Sequence, residues 1–456
     1  MGVLIKNGTI VTALDSWAGD ILTDGGKIVA LGAKLEGAGH EFVDASGQLV
    51  FPGGVDPHVH MALPFMGTVS VDDFETGGAA GLAGGTTTFI DFVIPGRSDD
   101  AMEVLRAWRE KSKPATCDYA YHMAVTCWGP KSEEWMRRAV RDEGIASIKV
   151  FLAYRGAIGI DDVELVEAMG CAAKLGCVVT VHAEHGDMVA ALQKKLTGEG
   201  KVAPRYHALS RPPEVEGEAT NRALMIAKLT GAKAYIVHMT CAESVKALAE
   251  ARARGQVCWG ETCPQYLLLD DSVYDKPDFE GATYVMSPPI RPKGHQEVLW
   301  SALTSGMLST VGTDHITFTH EQKRSGLADF RLIPNGAGGI QDRLSLLWHF
   351  GVRAGRIDMH QFVDLVSTRA AKIFHLYPRK GAIAVGSDAD LVVWDPQGTR
   401  TISAKTHFHR NDRSIFEGFR VIGVPSTVLA GGRVVYRNGD LRAERGAGRY
   451  LARRIP

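Results

Sequence analysis

The chain has no CxxC pair, and its 7 cysteines, Cys117, Cys127, Cys171, Cys177, Cys241, Cys258 and Cys263, are odd in number. That argues against a disulfide framework and a cysteine-built zinc site, and it suits reduced thiols in a cytoplasmic protein. Charge of one sign is lacking too. With 51 Lys and Arg against 52 Asp and Glu the net charge is -1, so no electrostatic footprint favours nucleic acid. No long apolar run offers a membrane span, and no basic segment leads into an apolar stretch near the N-terminus. The expectation is a soluble, cytoplasmic protein without a membrane partner. A Gly-rich phosphate loop is absent as well. Gly77-Gly78 and Gly84-Gly85 lack its spacing and read as turn and packing glycines. The arginines near the C-terminus (Arg442, Arg445, Arg449, Arg453, Arg454) read as a solvated tail.

What is present divides into two textures. At 456 residues the chain is long enough for one large domain and a smaller one. Residues 1–52 alternate short apolar strands with turn signals at Asn7-Gly8 and Asp24-Gly25-Gly26, which predict hairpins. Strand patterns return over residues 375–456, with a further turn at Asn438-Gly439, so both chain ends are expected to build one β-sandwich-like subdomain. Between them, residues 53–374 alternate apolar strands with amphipathic helices. The strands are expected at Val55–Met61, Thr86–Val93, Tyr119–Val125, Ser147–Tyr154, Val178–Glu184, Ala234–Thr240, Val257–Cys263 and Ser309–His315. Eight β–α units point to an α/β fold, a (β/α)8 TIM barrel; a doubly wound open sheet is the alternative.

Barrel active sites gather at the C-terminal ends of the strands. Here His58 and His60 stand two residues apart on the first strand and share a face, as metal ligands on one strand must. Alone they would read first as satisfied core histidines on a buried strand. They are not alone: Lys149, His182, His238 and Asp314 sit on or just past four other apolar strands. Lys149 is costly to bury charged. A neutral amine there could add carbon dioxide and become an anionic carbamate able to bridge two cations. The other reading is an ion pair with a buried Asp91 or Glu184.

Several longer stretches carry a resemblance. They are DPHVHM (56–61) and PFMGTVSVDDF (64–74), GGTTTFIDF (84–92), SIKVFLAYRG (147–156), VHAEHGD (181–187), GETCPQYLLLD (260–270), SPPIRP (287–292), GTDH (312–315) and DFRLIPNGAGGIQDR (329–343). A further one runs from Leu376 to Phe408. Over nearly its whole length the chain resembles the cyclic amidohydrolases of the dihydropyrimidinase and D-hydantoinase family. The resemblance implies two Zn2+ per chain, one on His58, His60 and Asp314 and the other on His182 and His238. Carbamylated Lys149 and a hydroxide would bridge them. It further implies that Tyr154 stabilises the oxyanion and that Asp314 carries the proton to the leaving nitrogen. Backbone groups of Ser287 and Asn335 would hold the ring amide, and Phe65, Phe151 and Ile158 would line the substituent side.

The implied reaction opens dihydrouracil, dihydrothymine or 5-substituted hydantoins to N-carbamoyl amino acids, in a homotetramer. The apolar run Met61–Phe65 carries no charge for a substrate carboxylate, which speaks against dihydroorotate or allantoin. An allantoinase-like enzyme and a noncatalytic scaffold are the competing functions; the complete ligand set opposes the second. Ile316 and Thr319 depart from the cysteine and asparagine common in the family.

Overall fold

A computed structural model describes residues 2–455; Met1 and Pro456, the outermost residues of the expected β unit, lie outside the described residues. Eight parallel strands follow one another in chain order in a single sheet: Gly54–Val59, Thr86–Val93, Asp118–Ala124, Ser147–Phe151, Val178–His182, Lys233–Ile236, Cys258–Thr262 and Thr310–Val311. A parallel bridge between Val59 and His315 brings the last strand back to the first, and the barrel is nearly closed. Nearly all of these strand residues are buried, as parallel strands covered on both faces must be. Helices Ala101–Ser112, Ser132–Arg141, Asp162–Leu175, Pro213–Thr230 and Ala242–Ala253 fill the amphipathic patterns at Ala101–Lys113, Glu133–Asp142, Asp161–Lys174, Glu218–Leu229 and Ala242–Ala251, the fourth beginning five residues earlier than its pattern. Local chemistry sets their ends. Asp100 caps the first by accepting from Met102 N and Glu103 N, and Asp161 forms a capping box with Glu164.

Most of the strands stop earlier than their apolar patterns suggest, and three of the stops share a backbone feature. Tyr154, His238 and Asp314 adopt φ of 59°, 39° and 53°, left-handed conformations that break the ladder and turn the side chain across the barrel mouth. Such conformations cost about 1–3 kcal/mol each and persist where the surroundings over-determine them, typically at functional sites. Packing explains the paired glycines. A Cβ on Gly77 would meet Met61 Sδ at 2.3 Å, and one on Gly84 would meet the Gln341 carbonyl oxygen at 2.4 Å.

The second sheet has nine strands drawn from both chain ends. Leu49–Pro52 joins the halves, pairing parallel with Val3–Val11 and antiparallel with Leu391–Thr401. Asp24–Gly26 and Asn438-Gly439 turn hairpins as expected, but Asn7-Gly8 does not. Val3–Val11 is one strand with a bulge there: Asn7 sits at φ 64°, its N–H donates to Asp20 Oδ1, and the register shifts between Ile5 and Gly8.

The C-terminal arginines also need correcting. Arg442 and Arg445 are solvated. Arg449, in contrast, reaches Asp118 Oδ2 at 2.6 Å and Asp388 Oδ2 at 2.8 Å, and Arg453 is buried with its guanidinium on the Tyr121 carbonyl. Beside them Lys380 is buried among Asp118, Asp388 and Asp390. This charged knot ties the start of a barrel strand to the second sheet. Among the described residues no helix is long and apolar enough to cross a membrane.

Candidate metal centre

The first strand delivers His58 and His60 to one side, with ring centroids 5.3 Å apart and both packed on Phe92. Nε2 of each lies 3.1 Å from Asp314 Oδ1, which the left-handed turn after the eighth strand brings in from the opposite end of the sheet. Across the mouth His182 Nδ1 and His238 Nε2 face each other at 2.9 Å. One ligand atom each from His58, His238 and Asp314 falls within 4.8 Å of the others, so the two histidine pairs form one continuous cluster.

Lys149 rises between them. Its Nζ lies 4.8 Å from the ring centre of Phe92 and 4.9 Å from that of Phe151, and no carboxylate pairs with it among the described residues. Both candidate partners are engaged elsewhere. Asp91 accepts from Met61 N and Trp108 Nε1, each at 2.7 Å, and Glu184 binds His182 Nε2 and Arg211 Nη1. Burial pulls the Lys149 amine down to about 7, against the pull of Asp314 and Glu261. A neutral amine is therefore accessible near neutral pH.

Burial also holds His60 down at about 4 and lowers His182 and His238, which leaves neutral imidazoles, the ligand form. His58 differs: burial lowers it, but the Asp314 and Glu261 carboxylates outweigh burial and raise it to about 9. Burial would raise the Asp314 carboxyl, yet His58 and His60 hold it well below the usual range. His58 Nε2 is buried without a hydrogen bond despite its closeness to Asp314, as expected of two lone pairs aimed at a common cation. Three neutral imidazoles, a fourth whose proton a bound cation would displace, and one carboxylate form a donor set that fits zinc.

Support comes from behind. His58 Nδ1 meets Glu261 Oε1 at 2.6 Å, and His182 Nε2 meets Glu184 Oε2 at 2.9 Å, the carboxylate–histidine arrangement that fixes ring orientation in metal sites. Sequence reasoning missed Glu261 and Arg211. Glu261 did leave a signal, a carboxylate inside the apolar strand Cys258–Thr262, of the same kind that exposed Lys149.

Every expected site residue lines one pocket. The metal-ligand candidates, Lys149, Tyr154, Ser287, Asn335, Phe65, Phe151 and Ile158 share it with Leu63, Ile94, Ile316 and Gly336. Tyr154 packs edge-on against Phe65 at 5.7 Å and lies 5.4 Å from the His182 ring, between the apolar wall and the ligands. Burial raises its phenol above the ordinary value and keeps it a proton donor. Asn335 Nδ2 donates to Ser287 Oγ at 3.0 Å. Among the described residues neither the backbone N–H nor the C=O of Ser287 or Asn335 enters a hydrogen bond, although both residues are buried. Such free donors and acceptors are rare away from a ligand. Of the two departures, Ile316 packs against Gly336, where a Cβ would meet its Cγ2 at 2.3 Å, and Thr319 caps helix His320–Lys323 through a capping box with Gln322.

The amidohydrolase family profile matches residues 49–435. A D-hydantoinase from Geobacillus stearothermophilus is 48% identical over 455 residues, which cover 99% of this chain and 97% of that protein. A dihydropyrimidinase from Rattus norvegicus is 42% identical, over 99% of this chain and 88% of its own length. The crystal structure of a dihydropyrimidinase from Brevibacillus agri superposes with a TM-score of 0.98 at 47% identity, covering 100% of this chain and 99% of that one. An L-hydantoinase from Arthrobacter aurescens superposes at 0.91 with 29% identity, over 99% and 100% of the two chains.

Proposed function

The chain belongs to the amidohydrolase family, among its dihydropyrimidinases and D-hydantoinases, and from that premise we propose that it opens 5,6-dihydropyrimidine and 5-substituted hydantoin rings by zinc-dependent hydrolysis of the cyclic amide. The observation that carries this reading is the convergence of four histidines and Asp314 around a buried lysine without a carboxylate partner. His58, His60 and Asp314 would hold one zinc, and His182 and His238 the other. Lys149, as its carbamate, would reach both. Bound there, the metals would activate water and polarise the scissile carbonyl.

The chain's own groups do the rest. Tyr154 donates its phenolic hydrogen to the developing oxyanion. Asp314 takes a proton from the attacking water and gives it to the departing ring nitrogen. Ser287 and Asn335 offer backbone N–H and C=O groups, which match the acceptor and donor edges of an imide. Phe65, Phe151 and Ile158 then face the ring substituent. They offer no countercharge, so carboxylated rings are rejected. A homotetramer, a cytoplasmic location and a division of the chain at residues 52/53 and 374/375 belong to the same proposal.

The test is a substrate panel on protein of measured metal content: dihydrouracil, hydantoin, phenylhydantoin, dihydroorotate and allantoin. Ring opening of the neutral rings, by protein holding about two zinc ions per chain, is expected. Efficient hydrolysis of dihydroorotate or allantoin, or full activity in metal-free protein, would overturn the reading.

A further inference from the structure

A second buried lysine stands beside the site. Lys323 closes the short helix His320–Lys323, and 2% of its surface is exposed. Its Nζ has no carboxylate partner among the described residues. It donates to two backbone carbonyls, Val285 O at 2.9 Å and Pro334 O at 3.1 Å. Those carbonyls belong to the two loops that carry Ser287 and Asn335. Two further bonds join the same loops: Gly336 N–H donates to Val285 O at 2.9 Å, and Asn335 Nδ2 donates to Ser287 Oγ at 3.0 Å.

The placement of the amine has a chemical consequence. The Pro334 carbonyl and the Asn335 N–H are two ends of one peptide group. A hydrogen bond, above all a charge-assisted one, received at the oxygen polarises the group and strengthens its N–H as a donor. That N–H is one of the unused groups of the pocket. A lysine buried without a counterion is costly, and packing alone would be served as well by methionine. Burial holds the amine at about 7, and either protonation state keeps enough N–H groups for both carbonyls.

We propose that Lys323 is a positioning residue for substrate: it clamps the Val285–Ser287 and Pro334–Gly336 loops together and strengthens the Asn335 N–H that meets the ring's non-scissile carbonyl. This rests on the ring-binding role assigned above to Ser287 and Asn335.

The test compares wild type, Lys323→Met, which keeps the stem and removes the donors, and Lys323→Gln, which restores N–H donors without charge. Each is assayed with zinc on dihydrouracil and on its analogue with the non-scissile carbonyl replaced by thiocarbonyl, a weaker acceptor. Zinc content is measured alongside. Lys323→Met should keep its zinc and lose about tenfold or more in kcat/KM, mostly as a rise in KM, because the contact is made in ground and transition states alike. Its preference for the oxo over the thio ring should shrink, and Lys323→Gln should recover part of both. If Lys323→Met does not fold, Lys323→Gln alone decides, and its oxo-to-thio ratio should lie below that of wild type. A kcat/KM within twofold of wild type with an unchanged oxo-to-thio ratio, whatever the change in melting temperature, would overturn the inference alone. A wild type that opens neither ring would overturn the functional reading, and this inference with it.

Discussion

Glu261→Gln tests whether the carboxylate behind His58 tunes the metal site or only fills space. Glu261 is buried, and both of its oxygens are in use. Oε1 takes His58 Nδ1 at 2.6 Å and the His238 backbone N–H at 3.2 Å; Oε2 takes the Tyr235 hydroxyl at 2.7 Å. Glutamine has the same shape. Its oxygen can keep both bonds on the histidine side. Its NH2 then faces Tyr235, whose hydroxyl can turn to donate to its other neighbour, Thr310 Oγ1. One N–H of the new amide meets the Tyr235 oxygen and the other has no acceptor among the contacts of Oε2, so the fold should lose about 1–3 kcal/mol. What disappears is the negative charge that fixes the His58 ring and makes its Nε2 a better ligand. Changes to such partners typically cost 10–100-fold in metal affinity, about 1.4–2.7 kcal/mol. The assay is competition for zinc with a chelator of graded strength, read by elemental analysis, with thermal melting as the control for folding. An unchanged zinc affinity in a folded variant would refute the reasoning and reduce Glu261 to packing.

Three further substitutions bear on the same account. Tyr154→Phe removes one oxyanion donor and should cost about 10²–10³ in kcat with metal content intact; Asp314→Asn, which loses a ligand and the proton carrier, should cost far more, and the reverse order in steady-state assays would contradict the assigned roles. Lys149→Ala should lose zinc and turnover together, with partial recovery of turnover in short carboxylic acids; full zinc content in that variant would defeat the bridging role. Lys380→Met should leave kcat unchanged and destabilise the fold by about 3–5 kcal/mol, because it strands buried aspartates. The pH dependence of that loss has a definite sign. Burial raises Asp118 and Asp388, but Lys380, together with Arg449 at Asp118 and with Lys27 and Arg379 at Asp388, outweighs it and holds both below their ordinary 3.8, so the stability they contribute is present above that pH and fades below it. Denaturation curves should therefore show the full deficit at pH 6 and a smaller one near pH 3, blunted by Asp390, which burial pushes upward.

The barrel was legible because a parallel strand buried on both faces is written as an unbroken apolar run, and a polar residue inside such a run stands out. His58, Lys149 and His182 were found in that way, and all three lie on strands of the barrel sheet. The strand ends were less legible. Tyr154, His238 and Asp314 leave the ladder through left-handed conformations that Tyr154 has no propensity for and that His and Asp adopt only in a small minority of cases. The surrounding fold imposes them, and the weak preference of His and Asp is too small to mark a strand end in the sequence. Asn7-Gly8 failed for a related reason. The dipeptide does favour a positive φ, but a bulge within one strand satisfies that preference as well as a hairpin does.

Partners of buried charges lie further beyond sequence reasoning, because a partner belongs to the fold and not to the pattern. Glu261 is 203 residues from His58, and Asp118 is 331 from Arg449. The segment around Arg449 has no apolar alternation, yet its backbone lies along the start of the third barrel strand, with Tyr119 N–H donating to Arg449 O at 3.0 Å and Leu451 N–H to Tyr119 O at 2.7 Å. Three lysines bring the point to one variable. Lys149, Lys323 and Lys380 are all buried, and the sequence marks only the first, by its place in an apolar strand. Their surroundings separate them. Lys380 has three carboxylates and stays charged, a structural anchor. Lys323 has two carbonyls and sits near 7, suited to holding loops. Lys149 has aromatic faces and histidines and also sits near 7, but it alone opens into the pocket. A buried amine without a carboxylate is a candidate for chemistry only where a reactant can reach it, and that condition selects Lys149 over Lys323.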